Sequence, residues 1–319
     1  MLKQTLKRKT FELTSKRKVF EVEHILSIPI YTPIKLAQAT PHPAESRITF
    51  DEPTHKYSVQ FNMVFETDNI TSVSQFIHEY FEHFDADAVI QTMINRANWN
   101  QSCYYGMTTS EIKTSWENNG KNASAAGTAI HACIECMCNG WVPTDIYLQD
   151  VSILQWLDWK IHHFDKEGLV PFRTEFRMFS DENTRIVGTA DLFAIKANHP
   201  PPNETNGVLT LHIRDWKHSK AIHTVPFQNK CGKNILSHLP DTNYEHYALQ
   251  QNLYKFLIEE YYPCWNYQGY EYTSCKVDSI QLIVVHANPG DKCLVVDIPD
   301  RMTEVHAMIH TRRQKLKQQ

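Results

Sequence analysis

Residues 174–217 constrain the fold of this chain most, because three apolar-rich runs are separated there by residues that cannot extend any of them. Phe176, Met178 and Phe179, set among polar neighbours, predict a first, partly exposed strand. Asp181, Glu182 and Asn183 supply a turn. Residues 185–195 are richer in β-branched and apolar side chains and predict a second, more buried strand. Residues 199–207, with three prolines and two asparagines, read as a loop. Val208, Leu209, Leu211 and Ile213 then predict a third strand that runs into Asp215, Trp216 and Lys217.

The chemistry-bearing side chains lie on the last two of these strands. Asp191 follows Gly188, Thr189 and Ala190 inside the second. Asp215 and Lys217 are two apart on the third, so their side chains leave the same sheet face. If the strands are neighbours in register, Asp191 joins them. Two carboxylates crowded together raise each other's pKa unless a cation separates them. Hard carboxylate oxygens are what Mg²⁺ or Mn²⁺ accepts, and a nearby lysine can orient water or offset phosphate charge. The ordinary alternative is a solvated strand-end aspartate with a weak surface ion pair.

Three further features point the same way. Ala123, Ser124, Ala125, Ala126 and Gly127 open a helix that carries His131, with Ile134 and Glu135 at helical spacing. Such small residues allow close approach to a sheet or a phosphate backbone. Gln250 and Tyr254 stand one turn apart on another helix. Glu175, on the first strand, is a third candidate carboxylate. Taken singly, each also fits a core histidine, a polar helix surface with a core tyrosine, or a surface acid.

In chain order the motifs are Gly127–Thr128–Ala129–Ile130–His131, Gly188–Thr189–Ala190–Asp191, Asp215–Trp216–Lys217 and Gln250–Gln251–Asn252–Leu253–Tyr254. Together they resemble the RecB-like branch of the PD-(D/E)XK nuclease superfamily, over roughly residues 46–290. The run from Ile70 to Ile77, with Thr71, Ser72 and Val73, resembles the entry segment of mitochondrial genome-maintenance exonucleases and of exonucleases of large DNA viruses. The resemblance implies an α/β, restriction-endonuclease-like fold: a mixed central sheet flanked by helices, with an N-terminal helical elaboration. It implies a metal-dependent DNA exonuclease for single-stranded or end-exposed DNA, working in replication, repair or recombination. An endonuclease on the same metal site, or a non-catalytic DNA-binding protein on a decayed nuclease fold, are the alternatives. Carried over residue by residue, Mg²⁺ or Mn²⁺ would be held by His131, Asp191, Asp215 and the Trp216 carbonyl, with Glu175 a looser match. Lys217 would be catalytic, and Gln250 and Tyr254 would shape the site. Thr71, Ser72, Thr128 and Tyr247 would touch DNA.

Composition sets bounds on this reading. The chain has 319 residues, 42% of them hydrophobic, enough for a substantial core. A net charge of −4 does not advertise nucleic-acid binding, so any phosphate-binding surface must be local. Eight cysteines include Cys133, Cys136 and Cys138 on the His131 helix, but no C-x-x-C run follows the Gln250 helix, so no iron–sulfur cluster is expected. Neither a signal peptide nor an apolar run of membrane-spanning length is visible, which predicts an intracellular protein of cytoplasm or nucleus with no membrane partner.

Four regions follow from the pattern. Residues 1–45 form a basic arm whose prolines argue against regular structure; Glu12, Glu21 and Glu23 weaken a mitochondrial transit reading. Residues 46–150 predict two short strands, a helix over 70–83 capped by Thr71 or Ser72, a helix over 87–99, a helix over 110–118 stopped by Asn119–Gly120, and the His131 helix. Within this block Trp99, Tyr104 and Tyr105 are candidates to stack on unpaired bases, and Lys121 to contact phosphate. Trp116 is assigned to the core. Residues 151–300 predict the sheet-bearing core, in which His218 and Lys220 reach towards phosphates and an apolar strand over 279–286 ends in an Asn288–Pro289–Gly290 turn. Residues 301–319 predict a closing helix with a basic end.

Overall fold

The computed structural model describes residues 36–51, 53–141, 149–286 and 292–318. The start of the basic arm and the expected Asn288–Pro289–Gly290 turn lie outside the described residues. In chain order the elements are α1 (Leu36–Ala39), β1 (Ile48–Asp51), β2 (Lys56–Gln60), β3 (Phe65–Glu66), β4 (Thr71–Ser72), α2 (Val73–His78), α3 (Ala86–Ile94), α4 (Thr109–Cys138) and α5 (Val151–Trp159). They continue with β5 (Leu169–Phe179), β6 (Ile186–Lys196), α6 (Pro202–Thr205), β7 (Val208–His218), α7 (Asn243–Tyr261), β8 (Trp265–Tyr267), β9 (Tyr270–Tyr272), β10 (Ser274–Val285), β11 (Leu294–Asp297) and α8 (Met302–Leu316).

The fold is α/β, with a mixed six-stranded sheet ordered β11-β10-β7-β6-β4 and β5 paired to β6. β10 runs parallel to β7, β4 runs parallel to β6, and the remaining pairs are antiparallel. β6 is the pivot. One edge pairs with β5 over nearly its whole length. The other edge pairs with β7 only at Leu192–Ala194 and with β4 only at Ile186 and Val187. Between those ladders the sheet forks, and Asp191 sits at the crotch. Continuing the Leu192–Arg214 register by one step sets Asp191 opposite Asp215, on one face.

Side-chain alternation divides the core into two layers. Phe193, Ile195, Leu211 and Ile213 face a cluster shared with Val73, Phe76, Leu249, Leu253, Leu257 and Met308, so α2, α7 and α8 cover that face. Leu192, Ala194, Trp216 and Ile283 face Ile130, Ile134, Trp156 and Leu157 of α4 and α5. All of these side chains are buried.

Several expectations need correction. The first strand is eleven residues long and largely buried, because Phe172, Phe176 and Met178 enter the main core. The helix expected to end at Asn119–Gly120 does not end there; α4 runs on to Cys138, 30 residues in all. A capping box between Thr108 and Glu111 starts it. Buried Ile112 near one end and Ile130 to Cys138 near the other anchor it, which outweighs one interior glycine costing about 1 kcal/mol. Its stop is Asn139–Gly140, with Gly140 at φ 87°. The helix expected over 70–83 is the short strand β4 followed by α2, capped by Ser72 in a box with Gln75. The prolines of the arm do not exclude structure after residue 35: α1 forms, and Pro43 opens a 3₁₀ turn capped by His42. Trp116 joins neither apolar cluster; it is half-buried between Phe84 and Tyr104.

The segment around α1 is fastened by Arg173 of β5. This buried guanidinium donates to the Thr40 carbonyl at 2.6 Å and to both oxygens of Glu45.

Candidate functional site

β6 and β7 bring Asp191 and Asp215 together at the fork. The Asp191 Oδ2 accepts a hydrogen bond from the Trp216 backbone N–H at 3.0 Å, which locks one carboxylate to the neighbouring strand. Asp215 is 1% exposed. Its Oδ2 lies 2.6 Å from the Lys217 Nζ, and its Oδ1 accepts from the Gln251 Nε2 at 2.8 Å. The Lys217 ammonium also lies 5.4 Å from the centre of the Tyr247 ring.

Two further groups complete the cluster from outside the pair. His131 reaches in from α4, with its Nδ1 3.6 Å from the Asp191 Oδ2. Glu175 comes from β5, where it falls between the paired residues Thr174 and Phe176 opposite Asp191. Its φ of 45° is in the left-handed region, uncommon for a residue with a Cβ. Directly opposite residues of an antiparallel pair share a sheet face, so the register itself brings Glu175 to Asp191. Ligand atoms of His131, Glu175 and Asp191 all lie within 4.8 Å of one another, the one such His/Cys/Asp/Glu group among the described residues.

The electrostatics are unbalanced. Burial and then the Asp215 charge push the Asp191 carboxyl well above the usual carboxylate range. Burial, with Asp191 next, pushes Glu175 up to about 8. Burial, followed by Lys217, pushes His131 down to about 4 against the pull of Asp215 and a hydrogen bond to the Trp216 backbone. His131 is therefore neutral at pH 7, with a lone pair to offer. Burial works against the Lys217 ammonium, but Asp215 and Asp191 outweigh it and hold the amine above its usual value. Three acids thus face one fixed cation. A divalent cation would relieve their repulsion, and the Glu175 and Asp191 carboxylates with the neutral His131 imidazole form a donor set that Mg²⁺ or Mn²⁺ fits; Asp215, expected as a ligand, lies outside that group, its two oxygens engaged by Lys217 and Gln251.

The glycine and tyrosine of two separate motifs meet here. A Cβ on Gly188 would lie 2.6 Å from the Tyr254 Cε1 and 3.0 Å from the Val73 Cγ2. Only a glycine lets α7 and α2 seat this closely on β6. Gln250 donates to the Tyr254 hydroxyl at 3.1 Å. The glutamine that holds Asp215 is its neighbour Gln251, which sequence reasoning missed. Tyr247, Gln251 and Tyr254 follow i, i+4, i+7 spacing, the signal that places them on one helix face.

Other singled-out residues divide by location. His218 ends β7, with its ring 4.9 Å from that of His286, and Gly127 of α4 passes close above it. Thr128 is exposed, one turn before His131, and its hydroxyl donates to the Ser124 carbonyl. Lys220 is exposed beyond β7. Thr71 and Ser72 carry structural bonds: the Thr71 hydroxyl accepts from Arg312, and Ser72 caps α2. Tyr104, Tyr105 and Lys121 are not brought to the carboxylates. They lie on the turn before α4 and on its exposed middle, where Trp99 meets Tyr105 and Trp116 meets Tyr104. Burial lifts the Cys133 and Cys138 thiols to about 11 and about 12, as for packed core residues. No described helix is long and apolar enough to cross a membrane.

No family model matches the chain, and no curated protein matches it.

Proposed function

We propose that this protein is a metal-dependent deoxyribonuclease of the RecB-like, PD-(D/E)XK type, with a restriction-endonuclease-like core. The observation that carries the reading is the convergence of Asp191, Asp215, Glu175, neutral His131 and protonated Lys217 at the β6/β7 fork. Structural ion pairs do not require three acids around one cation, whereas phosphodiester hydrolysis does benefit from such a set. Asp191, Asp215, Glu175 and His131 would hold Mg²⁺ or Mn²⁺, with the Trp216 backbone beside them. When bound, the ion supplies Lewis-acid neutralisation of the scissile phosphate and lowers the pKa of water at the site.

The chain's own groups do the positioning. Lys217, held protonated by Asp215 and Asp191, acts as a hydrogen-bond donor that orients water and offsets phosphate charge, not as a base. Gln251 fixes the Asp215 carboxylate from behind, and Trp216 N–H fixes Asp191. Tyr247 walls the lysine. Preference for single-stranded or free ends follows from the motif resemblance.

The test is digestion of end-labelled linear and closed circular DNA, single- and double-stranded, with Mg²⁺, Mn²⁺ or chelator. Metal-dependent shortening of linear strands and sparing of circles supports the exonuclease. Rapid cutting of circles turns the reading to an endonuclease on the same site. No cleavage with either metal removes the enzyme.

A further inference from the structure

A cavity of about 450 Å³ opens between the residues following α2, the 227–241 loop and the start of α7. We propose that it is a nucleobase pocket, taking an unpaired base with an exocyclic amino group from the strand whose backbone lies at the Asp191–Asp215 site. The inference rests on the nuclease reading and adds to it a base-reading subsite. Phe81, packed 4.2 Å from the His246 ring, forms the inner wall. Phe84 and Phe227 line the cavity while remaining 71% and 46% exposed, so both offer open ring faces at its mouth. Gln228 and Asn229, each at φ near 55°, follow Phe227 in a strained turn that holds it outward. Phe84 also meets Trp116, which meets Tyr104, so the mouth continues into a line of rings. Successive aromatic faces are what unpaired bases stack on.

The polar groups set the selectivity. Glu82, Asp85 and Asp241 present carboxylates to the cavity, and only Lys230 among the lining groups is a fixed cation. Glu82 is paired with Lys230 at 3.2 Å, Asp241 with His246 at 2.9 Å, and Asp85 caps α3. Each retains acceptor capacity, since a carboxylate has about four lone-pair sites. Such carboxylates accept amino hydrogens, which adenine and cytosine carry and thymine does not. His246 is one residue before Tyr247 and five before Gln251, about 7–8 Å along α7 at about 1.5 Å per residue. The cavity and the carboxylate cluster therefore share α7 as a common wall.

The test uses the full chain carrying Asp215→Asn, expected to bind without cutting, and labelled dA, dC and dT homopolymers. The parent is expected to bind dA and dC about 10-fold tighter than dT. Adding Phe84→Ala and Phe227→Ala, both at exposed positions, should weaken dA and dC by about 5- to 100-fold and bring them level with dT. Unchanged melting temperatures exclude misfolding as the cause. Equal binding of all three homopolymers by the parent, or equal losses for dT, overturns the pocket. So does displacement by an arginine-rich peptide but not by dA. Cleavage by the unsubstituted protein is scored separately, so a cutting enzyme without base preference refutes the pocket alone, and a protein that cuts nothing refutes the nuclease.

Discussion

Two acids meet β5 in opposite electrostatic settings, at positions 173 and 175 of that strand. Glu45 is held by Arg173, and Glu175 stands opposite Asp191. Burial works upward on Glu45, yet the Arg173 hydrogen bond and the His42 backbone N–H outweigh it and hold its carboxyl below the usual range. At Glu175 burial and Asp191 act together, and the carboxyl rises to about 8. The first arrangement is balanced and fastens the α1 segment to the sheet. The second is relieved at neutral pH only by a bound proton, and repulsion returns when that proton leaves. Buried charge by itself therefore says little about function; uncompensated like charge says much more.

This contrast can be broken by experiment. Asp215→Asn should lower cleavage on the order of 10³-fold while leaving DNA binding in place, as for loss of a group that stabilises charge in the transition state; a single-turnover rate within a factor of two of the parent would remove Asp215 from the site. Arg173→Leu should destabilise the fold by about 3 kcal/mol, because it leaves Glu45 and the Thr40 carbonyl uncompensated. Glu175→Gln should do the reverse in metal-free protein, raising the melting temperature at pH 8. If both substitutions destabilise equally, the two settings are not different in kind.

Gln251→Leu should weaken metal binding by about 10- to 100-fold, the usual cost of losing a group that orients a ligand; titration calorimetry with Mn²⁺ reads this directly. The smallest effect is the pH slope. Glu175 binds its proton more tightly folded than unfolded, so metal-free stability should fall as pH rises from about 4.5 to about 8. Millimolar Mn²⁺ displaces that proton, so its stabilisation should be larger at pH 8 than at pH 6. A melting-temperature shift by Mn²⁺ that is the same at both pH values would contradict displacement of a proton from Glu175.

Much of this site was legible in the sequence. Strand period alone sets Asp215 and Lys217 on one face, Asp191 joins them through the β6–β7 register, and Gly188 signals the close approach that Tyr254 makes. Glu175 was legible only as an acid on a neighbouring strand, because its place opposite Asp191 depends on the β5–β6 register, and nothing local announces its left-handed φ. Gln251 was hidden beside Gln250, since two adjacent glutamines differ only in helical phase. The length of α4 was misread because local stop signals at Asn119–Gly120 are overridden by anchors far along the chain.

That helix has a mechanical consequence. From Glu117 to Ala126 every residue of α4 is exposed, so the span is braced at its ends alone. Trp116 and His131 are fifteen positions apart on this single spar, about 22 Å at about 1.5 Å per residue. With no hinge between them, a tilt imposed at the tryptophan end arrives at the imidazole as a displacement, and Gly120 is where the spar would buckle first.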